Sequence, residues 1–142
     1  MGFFKKVFNS AKKIENKNVM EATVAACLLI AAADGTIERS EVDKMEKLIS
    51  INDKLSAFKG KAIKDTINKY TGMLEADFAY GKKKMLDEIS DITDNSDDAE
   101  EILYLAIAIS KSDGEMEPDE LKALTEISKT LGLNLNDFGI SI

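Results

Sequence analysis

The chain has no histidine, no tryptophan, one cysteine and one proline in 142 residues. Each shortage removes a class of chemistry. Without histidine there is no Ser-His-Asp or Cys-His nucleophile, and no side chain that ordinarily titrates near neutrality. Cys27 on its own cannot form an internal disulfide, and zinc sites built from cysteine and histidine are excluded with it. A metal bound by this chain must therefore be held by oxygen, from carboxylates, carbonyls and water. No stretch reaches the roughly 18 uninterrupted apolar residues of a membrane span. Lys5 and Lys6 lead into no continuous apolar run or small-residue cleavage site, so the start does not read as a secretory signal. A cytoplasmic protein is the expectation.

What is present favours helices. Apolar residues make up 44% of the chain and aromatics only 6%, and Pro118 with eight glycines leaves few breakers among many Ala, Leu, Ile, Glu and Lys. The length suits one domain over 1–142, with enough core to need no staples. The net charge of −7 is uneven: residues 1–20 carry +4 and the remaining 122 carry −11. So acidic a body argues against nucleic-acid binding and suits a cation, a basic partner or plain solubility.

The expected fold class is all-α, with about seven helices in one bundle-like domain. Residues 1–17 read as a basic amphipathic helix, with Phe4, Val7, Phe8, Ala11 and Ile14 at helical spacing and lysines mostly off that stripe. Such a helix docks on its own domain, touches a partner helix or makes a peripheral membrane contact. Asn16–Asn18 reads as a break. Residues 19–33 are apolar or small almost throughout, as in a helix at the centre of a fold. Asp34-Gly35 stops it, and a helix follows from about Arg39 to Ile51. The middle, 52–94, is less patterned. It suggests a turn near Leu55 and Phe58, a helix ending near Gly72, and another carrying Phe78, Met85, Leu86, Ile89 and Ile92. Asn95 and Ser96 are helix-capping candidates after an acidic break. Residues 99–112 are again strongly apolar. The run Ile102–Ile109 has the character of a buried strand too, but its length with flanks favours helix. Asp113-Gly114 stops it, Pro118 opens the next helix, Gly132 closes that one, and a short helical tail lies around Asn136–Phe138.

The two apolar segments belong to an internal repeat, about 19–51 and 98–131. At an offset of 79 residues, Ile30 matches Ile109, Asp34-Gly35 matches Asp113-Gly114, and Glu38 and Glu41 match Glu117 and Glu120. Both copies read Asp-Gly-x-apolar-Glu-x-x-Glu, which has the spacing of the second half of a calcium-binding EF-hand loop. The first half is missing, because its ligand positions fall on Ile30 and Ala32, and on Ile109 and Lys111. Alone, each copy has too few ligands. If the two loops meet, Asp34 and Glu41 join Asp113 and Glu120 in one acidic site. Like charges that close favour something positive between them: Ca²⁺, Mg²⁺ or a similar oxygen-liganded ion, or a partner's lysine or arginine. Capping alone accounts for each acid singly, since Asp-Gly stops helices and acids suit a first turn. Three functions stay open: a metal-binding interaction module, a metal-independent acidic interaction module, and a metal-dependent hydrolase. The last is the weakest, because no lysine or arginine is placed beside the acids to hold a phosphate. The acidic stretch from Asp87 to Glu101 reads as a solvated face.

Ala22–Cys27 running into Ala33-Asp34-Gly35, the stretch Ala106–Gly114, the ending Asp137–Ile140 and the opening Phe3–Val7 together resemble the tellurite-resistance TerB family, itself related to the N-terminal domain of the DjlA-type co-chaperones. The resemblance covers essentially the whole chain. It implies an all-α fold of about seven helices with internal duplication, and acids that chelate a divalent metal, which on matching positions are Asp34, Glu41, Asp113 and Glu120. It also implies a role in tellurite resistance and stress response but supplies no reaction, and a non-enzymatic protein is the expectation. The implied partners are other Ter-system proteins, some of them membrane-bound, at the cytoplasmic face of the membrane.

Overall fold

The computed structural model describes residues 16–52, 55, 57–58, 60–112 and 114–141. Among them it forms six α-helices and one 3₁₀ turn, with no strand. The helices are α1 (Lys17–Ala31), α2 (Arg39–Ser50), α3 (Gly60–Ala76), α4 (Phe78–Ser90), α5 (Ser96–Ser110) and α6 (Pro118–Leu131), followed by the 3₁₀ turn Leu135–Phe138. Among the described residues the count is therefore one short of the about seven helices expected. The basic helix expected over 1–17 lies outside the described residues up to Glu15, and Lys17 belongs to α1.

Helix α1 is the axle of the fold. Eleven of its 15 residues are buried, and it packs against all five other helices, most heavily against α5. That is why its sequence is apolar all round: no face is left for water. Asn16 starts it by accepting from the Asn18 N–H at 2.8 Å, so the expected break is the helix's cap. Asn95 opens α5 in the same way, accepting from Asp97 and Asp98. The apolar run Ile102–Ile109 is helical.

The bounds of α1 and α5 fall 79 residues apart, as do the starts of α2 and α6. Packing does not follow suit. Helix α6 rests on α1, whereas α2 makes at most slight contact with α5 and leans instead on α3. Gly35 and Gly114 end the two turns at φ 87° and 106°, a region open to glycine and strained for other residues.

The less patterned middle forms a tight helical hairpin. Helix α3 runs on through Gly72 to Ala76, past the expected stop, because Gly72 keeps a helical backbone on an exposed face. Only Asp77 separates α3 from α4, and its side chain caps α4 through the Tyr80 N–H at 3.0 Å. Gly81 lies where the helices touch: a Cβ there would sit 2.8 Å from the Met73 carbonyl carbon. Leu55 is buried in the connection before α3, with Phe58 partly buried beside it.

Candidate functional site

The turns after α1 and α5 come together at one end of the molecule, around an open cleft of about 640 Å³. The first hairpin lends it Asp34, Glu38 and Glu41; the second lends Glu115, Glu117, Asp119 and Glu120. Ile30, Ala31, Ala33 and Pro118 supply the apolar part of the wall. No lysine or arginine lines it among the described residues. Three of the four acids singled out from the sequence therefore share one cleft. The fourth, Asp113, lies outside the described residues.

Each acid has a local reason for its position. Asp34 follows α1 in a turn closed on Thr36, accepting from its N–H at 3.0 Å and its hydroxyl at 2.8 Å. Those two bonds hold the Asp34 carboxyl below its ordinary pKa. Glu120 lies in the first turn of α6 and accepts from the Glu117 N–H at 2.8 Å, so it fastens the start of that helix. Partial burial raises the Glu120 pKa above the ordinary glutamate value. The Glu117 N–H bond works against this, the charges of Glu117 and Glu41 add to it, and Lys44 opposes it. Glu41, from the other hairpin, is thus close enough for its charge to be felt by Glu120. Among the described residues Glu41 forms no hydrogen bond or ion pair of its own.

The cleft is wide rather than tightly gathered. Among the described residues, no three carboxylates lie close enough together to hold an ion between them. All the donors are oxygen, which suits hard divalent cations and basic side chains alike. Glu115 and Asp119 were not singled out from the sequence, although both sit in the same short Glu115–Glu120 stretch. The repeat pattern hides them, because their counterparts at an offset of 79 are Thr36 and Ser40.

A second, smaller recess of about 110 Å³ adjoins the cleft, sharing Ala33 and Asp119 with it. Helix α4 lines it with Phe78, Lys82 and Leu86, one stripe at helical spacing. Facing them are Ala123, Glu126 and Ile127 of α6, with Leu29 and Ala32 at the base. Lys82 and Glu126 tie the two walls together at 2.7 Å, both about one-third exposed. Away from these sites, Cys27 is completely buried, and burial pushes its thiol pKa far up. It is a core residue. No helix among the described residues is long and apolar enough to cross a membrane.

Neither the curated proteins nor the solved structures give a match to this chain. The family model for tellurite resistance protein TerB matches residues 20–140, which takes in all six helices but the first turn of α1. The chain belongs to the TerB family.

Proposed function

We propose that this TerB-family protein is a non-enzymatic interaction module of a tellurite-resistance system, whose acidic cleft receives the basic side chains of a partner protein. The observation that carries this reading is the cleft itself: seven carboxylates from two hairpins, with no lining lysine or arginine among the described residues. Its width favours a segment of polypeptide over a bare ion. A surface of one sign also speeds the approach of a partner of the other. The partner we propose is another protein of the same system, met on the cytoplasmic side.

A second reading, binding of a divalent ion between Asp34, Glu41, Asp113 and Glu120, draws support from the charges of Glu117 and Glu41, which are felt by Glu120. A Ca²⁺ or Mg²⁺ ion would relieve it with ligands of the right type. No step of chemistry follows from such an ion here.

Calorimetry of the full chain with a hexalysine peptide, and separately with Ca²⁺, tests both. The interaction reading predicts peptide binding that weakens steeply from low to physiological salt and that Glu38→Gln with Glu117→Gln diminishes. Peptide binding unchanged by those two substitutions would refute it. Tight Ca²⁺ binding lost in Asp34→Asn with Asp113→Asn would establish the second reading in its place.

A further inference from the structure

We infer that the recess between α4 and α6 is an anchor pocket for one aliphatic side chain of the partner, so that the preferred partner segment carries lysines or arginines next to a Leu, Ile, Val or Met. This rests on the reading of the cleft as a site for basic side chains, and it names what else the segment must contain.

The recess is continuous with the cleft through Ala33 and Asp119, so one ligand can span both. Seven of its eleven lining residues are apolar, and Lys82, Asp119, Lys122 and Glu126 are the other four. Phe78, Leu86 and Ala123 are partly buried and packed on the core, and Leu29, Ala32 and Ile127 form a buried base. About 110 Å³ is room for one branched aliphatic side chain. Its own charges balance: Lys82 is paired with Glu126, and Lys122 faces the same recess as Asp119. Every charged side chain that lines the cleft next to it is acidic among the described residues. A divalent ion or a free amine gains nothing from the apolar side chains of the recess, and a purely apolar ligand has no use for seven carboxylates. A segment with both a basic and an aliphatic residue uses the two together. Anchoring one apolar side chain inside a polar rim is how small interfaces concentrate their affinity.

The test uses the full chain and two synthetic twelve-residue peptides, each with six lysines. One has a central leucine and the other a serine in its place. Binding is followed by fluorescence anisotropy. Burying the leucine predicts about tenfold tighter binding or more for the leucine peptide. Ala123→Leu fills the pocket without replacing an acid, and Leu86→Asn makes one wall polar. Either one, provided it melts like the parent, is expected to bring the leucine peptide down to the affinity of the serine peptide. Glu38→Gln with Glu117→Gln should weaken both peptides equally. Equal affinity of the two peptides for the parent chain overturns the anchor pocket and leaves the acidic cleft standing. A leucine preference that survives alongside indifference to the acid substitutions overturns the cleft and leaves the pocket. A preference that emerges only after Phe4→Ser and Phe8→Ser overturns the partner assignment, because the pocket would then belong to the chain's own first segment.

Discussion

Replacing glycine by alanine at positions 72 and 81 should move stability in opposite directions, although the two residues lie nine positions apart in one helical hairpin. At Gly72 a Cβ meets nothing within 4 Å. The gain is that of alanine over glycine in a helix interior, about 0.5–1 kcal/mol. At Gly81 a Cβ would lie 2.8 Å from the Met73 carbonyl carbon and 2.9 Å from both the Met73 oxygen and the Leu74 nitrogen. All three are backbone atoms and cannot rotate away. The α3 and α4 backbones must separate by roughly half an ångström or more to restore ordinary contact. Overpacking of this kind costs about 1–3 kcal/mol, and after the helix gain a net loss of about 1–2 kcal/mol is expected. Urea denaturation reads this directly, as a lower midpoint for Gly81→Ala and a higher one for Gly72→Ala at unchanged slope. The loss also has a functional echo. Gly81 precedes Lys82, so moving α4 displaces one wall of the recess between α4 and α6 and disturbs the Lys82–Glu126 tie. Gly81→Ala as stable as the parent chain would refute the close approach of α3 and α4.

Three further outcomes follow from the same geometry. Glu120→Gln keeps an oxygen for the Glu117 N–H but removes the charge. Because the folded protein holds this proton more tightly than the unfolded chain, the ionised Glu120 costs stability at neutral pH, and the cost vanishes as the pH falls below the ordinary glutamate range. The variant should therefore melt slightly higher at pH 7, by a few tenths of a kcal/mol after solvent screening, and no higher at pH 3. Asn95→Ala removes the acceptor for two N–H groups at the start of α5 and should cost about 1 kcal/mol in a denaturant titration. Cys27 should resist a thiol reagent in the folded protein and react fully once unfolded by urea; rapid native labelling would contradict its burial in α1.

The outer hairpins were legible in the sequence and the central one was not, for a physical reason. Helices α1 and α5 are so apolar, and so plainly stopped by Asp-Gly, that composition and turn chemistry agree. Pro118 and Gly132 mark the two ends of α6. Helices α3 and α4 are separated by one residue, with Asp77 as the punctuation and a glycine inside each, so the usual signs of a helix end fall in the middle of helices. The site shows the same division. The repeat points to Asp34, Glu41, Asp113 and Glu120, and of these Asp34, Glu41 and Glu120 line one cleft. It was silent on Glu115 and Asp119, which have no acidic counterpart in the first copy, and on the recess built from α4, which has no counterpart in the repeat at all.

The acidic cleft competes with the acidic run Asp87–Glu101 for any basic ligand, and one measurement separates them. Titrating ¹⁵N-labelled full-length protein with hexalysine at low salt should shift the amides at the starts of α2 and α6, around Glu38–Glu41 and Glu115–Glu120, and return them on addition of salt. Shifts confined to residues 87–101, or spread evenly over every carboxylate, would contradict the cleft as the binding site.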